Sequence, residues 1–243
     1  MCSLERRGDV FILTITGDDQ HRLNPELIDS IRAALARVKS ESFLSTAAAL
    51  ITTAEGKFFS NGYDLNWALS DPARIRPKIM SKKLRLLVED LISLPMPTVA
   101  AVNGHASAAG FVLALSHDYR LMRRDRGYLY MSELDIGYTI PRWFVQVVKS
   151  KTQSPRIWRS VVMAAAKITA EMGVEWGIVD SAHDGAEATV EAAVKLGADL
   201  ASRKWDGEVY AATRRIVFAD VLAVLGSDES VGDSGDFEVV SRL

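Results

Sequence analysis

The strongest indication of the fold comes from TVAAVNGHASAAG, residues 98–110. Its first five residues are apolar or β-branched and follow Pro95 and Pro97, which predicts a buried strand. The remainder is a chain of small residues that leads into the apolar residues 111–115. Small side chains let another backbone or a ligand approach closely. The segment therefore predicts a strand that ends in a closely approached turn.

Strand and helix patterns alternate on both sides of this segment. Apolar and β-branched runs predict short strands at residues 10–16, 47–53, 118–122 and 128–131. Apolar residues spaced by three and four predict helices after Asn24-Pro25 and over residues 79–94. After Pro141 the pattern is helical almost to residue 225. This order predicts an α/β fold with largely buried parallel strands.

The composition limits the kinds of partner. The 243 residues are 48% hydrophobic and 25% charged with a formal net charge of -2, so the chain has a globular composition and no overall basic field. We therefore expect no nucleic-acid and no membrane partner. The single cysteine, Cys2, rules out a disulfide framework within the chain, and the histidines lack zinc-ligand spacing, so no metal is expected.

Two further segments carry polar residues in turns. They read FSNGYDL at residues 59–65 and SELDIG at residues 132–137. In order, these two and the segment at 98–110 resemble the three signatures of the crotonase (enoyl-CoA hydratase/isomerase) family. The later residues 168–170 and 177–180 resemble the family's following helix and turn, so the resemblance covers roughly residues 5–200.

The resemblance implies a crotonase-like spiral of β-β-α turns with a C-terminal helical region. We expect a spiral core at residues 1–200, a helical segment at 201–225 and a flexible acidic tail at 226–243. The implied substrate is an acyl-CoA thioester, so coenzyme A arrives with the substrate and no separate cofactor is expected. The resemblance also implies assembly into trimers or hexamers. Apolar positions that a single domain need not bury agree with self-association: Ile157, Trp158, Val161 and Val162.

The resemblance also implies an oxyanion hole made of two backbone N–H groups, which fall on Tyr63 and Ala109. An acyl thioester becomes acidic at C2 only if the charge growing on its carbonyl oxygen meets preorganised donors. The helix start near Gly110 adds a favourable dipole there. The same resemblance assigns further substrate-binding positions: Ser60, Asn61, Gly62, Asp64, Leu65, Gly110, Val112 and Ile140.

The proton carrier is expected to be Glu133. Hydratases of the family use two glutamates, and the position of the other is Val112 here, which cannot ionise. Burial of Met131, Leu134 and Ile136 beside Glu133 would raise its pKa toward the range useful for proton transfer. One carboxyl can move a proton from C2 to C4, whereas hydration must also orient a water. The pattern therefore favours isomerisation of 3-enoyl-CoA to 2-enoyl-CoA in β-oxidation.

Alternatives remain open at this point. The chain could be an enoyl-CoA hydratase, a dienoyl-CoA isomerase if Asp135 reaches the substrate, or a non-catalytic acyl-CoA-binding scaffold. The turn Ala108-Ala109-Gly110 departs from the family's glycine-rich turn. A hydrolase is disfavoured, because Ser107 lacks the flanking glycines of a nucleophile elbow.

The chain ends in Ser241-Arg242-Leu243, a variant of the Ser-Lys-Leu peroxisomal address. The preceding stretch is acidic and rich in glycine and serine, so we expect it to be solvated and to leave the tripeptide accessible. The sequence thus predicts a peroxisomal protein recognised by an import receptor.

Overall fold

A computed structural model describes residues 1–42, 48–73 and 75–226 of the chain. The strands are Cys2–Arg7 (β1), Val10–Ile15 (β2), Ala49–Ala54 (β3), Phe58–Ser60 (β4), Thr98–Val102 (β5), His105–Ser107 (β6), Tyr119–Arg123 (β7), Leu129–Tyr130 (β8) and Ser181–His183 (β9). The helices are Pro25–Ser42 (α1), Leu65–Leu69 (α2), Ile75–Ile92 (α3), Ala109–Leu115 (α4), Arg142–Lys151 (α5), Pro155–Met163 (α6), Ala170–Glu175 (α7), Gly185–Ala201 (α8), Gly207–Val217 (α9) and Ala219–Gly226 (α10). A short 3-10 helix covers Leu134–Ile136.

Consecutive strands are divided between two sheets. The larger sheet has the order β1-β2-β3-β5-β7-β9 and the smaller has the order β4-β6-β8. β1 and β2 form an antiparallel hairpin, and the other neighbours pair in parallel. From β3 onward, three turns of the chain each place one strand in each sheet and then return through helices. This repeated β-β-α path confirms the predicted α/β spiral.

Both faces of the larger sheet are covered, as its apolar strands require. On one face, α8 approaches closely through Gly197, where an added Cβ would lie 2.9 Å from Ile51 Cδ1. On the other face, α1 and α3 bury their apolar stripes in the main core. α1 begins where Asn24 Oδ1 accepts a hydrogen bond from Leu27 N–H at 2.9 Å, an N-cap that ends the preceding loop.

The C-terminal helices are fixed to the sheet by a buried ion pair. Arg214 of α9 donates to Asp118 Oδ1 at 2.9 Å and to the Leu91 carbonyl oxygen at 2.8 Å. Thr98 N–H donates to the other Asp118 oxygen at 2.9 Å. Because each charge is paired and hydrogen-bonded, removing one partner would leave the other buried and uncompensated.

The structure adds elements that the sequence patterns did not predict. β1, β4 and β6 were not predicted as strands, and β9 interrupts the region expected to be helical after Pro141. α3 begins at Ile75, four residues before the predicted start at 79, with Pro77 in its first turn, where its missing N–H costs nothing. The predicted tail lies outside the described residues from 227 onward. No helix in the described ranges is long and apolar enough to cross a membrane.

Candidate active site

A cavity of about 330 Å³ opens where the strands of the smaller sheet end. Asn61 follows β4, Ala108 follows β6, and Ser132 follows β8, and all three line the cavity. Since the strands are parallel, their carboxyl ends meet at one edge and bring the three signature segments together. The other lining residues are Arg22, Tyr63, Leu65, Ser107, Tyr130, Glu133, Ile136, Tyr138, Thr139, Pro141 and Phe144. A wider groove of about 800 Å³ is lined by α1, α8 and α9 and includes none of the signature segments.

The first wall of the cavity is the loop after β4. Its Gly62 has φ +75°, a conformation that other residues rarely adopt. Leu23 pairs with this loop by two backbone hydrogen bonds. The Leu23 N–H donates to the Gly62 carbonyl oxygen at 2.7 Å, and the Asp64 N–H donates to the Leu23 carbonyl oxygen at 3.2 Å. A parallel bridge of this kind turns the N–H of the central residue, Tyr63, away from Leu23. The loop is therefore shaped by backbone groups rather than by the Tyr63 side chain.

The second wall is the turn into α4. Ala108 occupies φ 49° and ψ −120°, a strained conformation for a residue with a Cβ. Ala109 is the first residue of α4, so the helix itself does not use its N–H. A Cβ added to Gly110 would lie 2.3 Å from the Ser60 carbonyl oxygen, so this turn packs backbone to backbone against the first loop.

The two walls meet at the positions expected for the oxyanion hole. A Cβ added to Gly62 would lie 3.0 Å from the Ser107 carbonyl oxygen and 3.6 Å from the Ala109 nitrogen. The residue beside Tyr63 is thus in contact with the turn that carries Ala109. Ala109 itself is fully buried, and Ala108 rather than Ala109 is among the cavity-lining residues.

Glu133 lies on the third wall, three residues after the end of β8 and directly before the 3-10 helix. It is 7% exposed, and neither carboxyl oxygen has a hydrogen-bond partner among the described residues. Its backbone carbonyl oxygen accepts from Tyr138 N–H at 2.8 Å, which closes the loop through Gly137 at φ 77°. The backbone thus holds the residue while its carboxyl group stays free to act on a ligand.

Burial raises the pKa of Glu133 from its ordinary value of 4.5 to about 7. The expected neighbours account for this only in part. Met131 is buried, but Leu134 and Ile136 are 40% and 48% exposed, so the expectation that these two would be buried was wrong. The pKa rises because burial removes the carboxylate from water, and this effect outweighs the opposing interaction with the residue's own backbone.

The remaining predicted positions have diverse surroundings. Asn61 and Leu65 line the cavity. Ser60 is fully buried and donates to the His21 carbonyl oxygen at 2.8 Å, and Asp64 caps α2 by accepting from Trp67 N–H at 3.0 Å. Ser60 and Asp64 therefore do not line the cavity but hold the first loop in place through hydrogen bonds to backbone groups.

Val112 and Ile140 do not lie on the cavity wall. Val112 is fully buried in the core, and Ile140 packs against that core while partly exposed. Asp135 is exposed on the 3-10 helix and does not line the cavity either. Ser241, Arg242 and Leu243 are outside the described residues.

Sequence reasoning missed several cavity residues. Arg22 is the one cation among the described residues that line the cavity, and its NH1 lies 3.5 Å from the Tyr63 carbonyl oxygen. Phe144 of α5 is fully buried behind the Tyr63 ring, with the ring centres 6.2 Å apart. The sequence signal for Arg22 was its location in the loop between β2 and α1, because loops at the carboxyl ends of parallel strands form binding sites. Within the described ranges, no group of three or more acidic, histidine or cysteine residues could hold a metal ion.

Comparison with known proteins gives a consistent result. A family model described as enoyl-CoA hydratase/isomerase matches residues 8–216. The peroxisomal enoyl-CoA delta isomerase 1 of Arabidopsis thaliana is 55% identical over 231 residues, which cover 95% of each protein. The peroxisomal enoyl-CoA delta isomerase 2 of the same plant is 47% identical over 95% of this chain and 98% of that protein.

Solved structures agree on the fold. The crystal structure of a probable enoyl-CoA hydratase from Mycobacterium tuberculosis H37Rv matches with a TM-score of 0.82 at 24% identity, covering 92% of this chain and 91% of that one. The sequence match and the shared spiral extend over almost the whole described chain. The chain therefore belongs to the enoyl-CoA hydratase/isomerase family.

Proposed function

We propose that the chain is an enoyl-CoA delta isomerase that converts 3-enoyl-CoA to 2-enoyl-CoA in fatty acid β-oxidation. The observation that carries the proposal is that Glu133 is the single carboxyl group among the described residues that line the cavity. The names of the Arabidopsis relatives support the same activity. Coenzyme A belongs to the substrate, and the reaction needs no further cofactor.

The proposed first step breaks the C2–H bond of the substrate. The Glu133 carboxylate accepts this proton, and the bond electrons move into a dienolate whose charge rests on the thioester oxygen. The N–H groups of Tyr63 and Ala109 donate hydrogen bonds to that oxygen. Such donors stabilise the oxyanion effectively because they are oriented before the charge appears.

In the second step Glu133 returns the proton at C4. The double bond then lies between C2 and C3, and the enzyme regains its carboxylate. A group with a pKa of about 7 suits both halves of this cycle, since it can accept and release a proton near neutral pH. Hydration would need a second group to activate water, and Val112 supplies none.

A mutant series tests this proposal. Glu133→Gln keeps the shape of the side chain but cannot carry the proton, so turnover of 3-enoyl-CoA should fall by about 10²-fold or more while acyl-CoA binding survives. The assay monitors 3-enoyl-CoA and 2-enoyl-CoA separately, together with binding of a saturated acyl-CoA. Asp135→Asn, an exposed carboxyl two residues away, is the matched control and should keep full activity.

Two outcomes would contradict the proposal. Efficient hydration of 2-enoyl-CoA by the wild-type protein would favour a hydratase. Binding of acyl-CoA without turnover of either substrate would favour a scaffold.

We further propose that the protein works in peroxisomes as a homotrimer or hexamer, and that an import receptor recognises Ser241-Arg242-Leu243. The peroxisomal relatives and the terminal tripeptide support the location. Family membership and exposed apolar residues on α9 support the assembly.

A further inference from the structure

Two serine hydroxyl groups meet on the cavity wall between the second and third signature segments. The Ser107 Oγ and Ser132 Oγ atoms are 3.0 Å apart, which is hydrogen-bond distance. Both residues line the cavity, and Ser107 is 2% exposed. A buried hydroxyl costs free energy unless it is bonded, so each serine satisfies the other.

The pair connects the two segments that carry the proposed chemistry. Ser107 is two residues before Ala109, and Ser132 is directly before Glu133. Backbone pairing between β6 and β8 ends at Ser107 and Tyr130, followed by one bond from Ala108 N–H to the Tyr130 carbonyl oxygen at 2.9 Å. The serine bond therefore extends the connection to the residue adjacent to the acid.

This connection matters because the other restraints on Glu133 are local. The backbone bonds of its carbonyl oxygen go to Ile136 and Tyr138 within its own loop, and its carboxyl group has no partner among the described residues. These bonds shape the loop but do not relate it to the α4 turn. Rates of positioned reactions are sensitive to such relations, since a 1 Å misplacement can cost about 10²-fold.

We infer that Ser107 and Ser132 are positioning residues whose hydrogen bond sets the Glu133 carboxyl group against the Ala109 turn. The inference rests on the proposed isomerase function. The two serines touch neither the proton nor the oxyanion in this role; they hold the segments that do. The hydrogen bond therefore affects the rate of the chemical step rather than substrate binding.

The test uses Ser107→Ala, Ser132→Ala and the double variant of the full chain. Each single change should lower kcat for 3-enoyl-CoA about tenfold, while KM changes less than about twofold. This rate loss lies between that expected for one ordinary hydrogen bond and that expected for a full 1 Å displacement. The double variant should lose no more than either single variant, because all three lack the same bond. Ser132→Thr keeps the hydroxyl and should restore most of kcat.

Ser116→Ala is the matched control for losing a buried serine hydroxyl. Ser116 is 1% exposed and donates to the Val112 carbonyl oxygen at 2.8 Å, at the far end of α4. It should lower the melting temperature and leave kcat unchanged. A purely structural role for Ser107 and Ser132 would give the same result as this control.

Three results would overturn the inference. The first is an unchanged kcat in the folded single variants. The second is a double variant whose fold-reduction in kcat equals the product of the two single reductions. The third is a Ser132→Thr variant that is as slow as Ser132→Ala. In each of these cases an active wild type leaves the proposed function standing. An inactive wild type would instead remove the proposed function and the inference together.

Discussion

Glu133 is a carboxyl group whose surroundings favour its neutral form. Its pKa in the folded protein, about 7, lies above its ordinary value of 4.5. An acid with a raised folded pKa stabilises the fold fully below its unfolded pKa and loses that contribution as the pH rises through the folded pKa. Ionising this buried carboxyl group therefore lowers the free energy of unfolding, and the loss is nearly complete once the pH exceeds about 7. A buried carboxyl group with a raised pKa is a common arrangement in active sites.

The pH dependence of the free energy of unfolding tests this effect of Glu133 ionisation. Glu133→Gln removes the ionisation, so it should raise the free energy of unfolding relative to the wild type by about 3 kcal/mol more at pH 8 than at pH 4.5. Thermal or urea unfolding at both pH values gives the comparison, and Asp135→Asn serves as the exposed control. An equal difference at both pH values would mean that Glu133 ionises in the folded chain as it does in the unfolded one.

The residues of the candidate site were only partly predictable from the sequence. Glu133 was found because a motif marks it, and the direction of its pKa change followed from burial. The serine pair and Arg22 could not be found in this way, since Ser107 and Ser132 are 25 residues apart and meet only through strand pairing. A side chain's partner across two strands depends on register, which a single sequence does not specify.

At the scale of elements, the turn into α4 carries an unusual strain. Ala108 has φ 49° where a glycine would fit without cost, and Gly110 cannot accept a Cβ because the Ser60 carbonyl oxygen is 2.3 Å from that position. The departure from the family's glycine-rich turn therefore includes Ala108, where a methyl group fits but strains the backbone. The position that forbids one has kept its glycine.

Ala108→Gly should stabilise the protein by about 1 kcal/mol, because glycine adopts the same conformation without a Cβ clash. Ala165→Gly, at φ 45° after α6, is the matched control outside the site and should give a similar gain. Ala36→Gly on the exposed face of α1 should lose about 1 kcal/mol. Melting temperatures measure all three, and a loss of stability in Ala108→Gly would show that the turn is not strained.

Strands with a continuous apolar run were predictable, whereas polar β1 and the three-residue strands β4 and β6 were not. β3 and β5 have continuous apolar runs, and both faces of these strands are buried. β4 and β6 have three residues each, too few to show alternation, and the small residues around them read as turns. Two of the three strands of the smaller sheet, which bears the site, were therefore not predicted from the pattern, although the signatures at its strand ends were recognised.

At the scale of the whole molecule, α9 presents apolar side chains to the surface. Val209, Ile216 and Val217 are 65%, 78% and 69% exposed. The residues first expected to drive assembly differ from these, since Val161 and Val162 are buried within the chain. Exposed apolar residues grouped on one helix are typical of a protein–protein interface.

Light scattering at micromolar concentration should give the mass of a trimer or hexamer rather than the 26.7 kDa of one chain. Ile216→Glu should shift the population toward monomers by placing a charge in the interface. Lys204→Glu, a charge change in the loop before α9, is the control. A monomeric wild type would refute the expected assembly.

A fluorescent protein fused to the N-terminus, with the native C-terminus free, should enter peroxisomes because the terminal tripeptide is available to the receptor. Deleting residues 241–243 should leave the fusion in the cytosol. Co-localisation with a peroxisomal marker measures both cases. A diffuse signal from the intact fusion would reject the targeting role of the tripeptide.

The strand order of the larger sheet bears on how the protein is made. From β1 to β9 each new strand of that sheet joins the edge formed by the strand before it, and none has to be inserted between two existing ones. A ribosome delivers the N-terminal end first, at about 5–20 residues per second, so each turn of the spiral can be added to a finished one as it emerges. The Glu133 loop comes late in this sequence, and Arg214, which ties α9 to Asp118, comes later still. Nascent chains stalled before residue 214 would therefore hold all three signature segments, whereas Asp118 would still lack the Arg214 guanidinium that pairs with it.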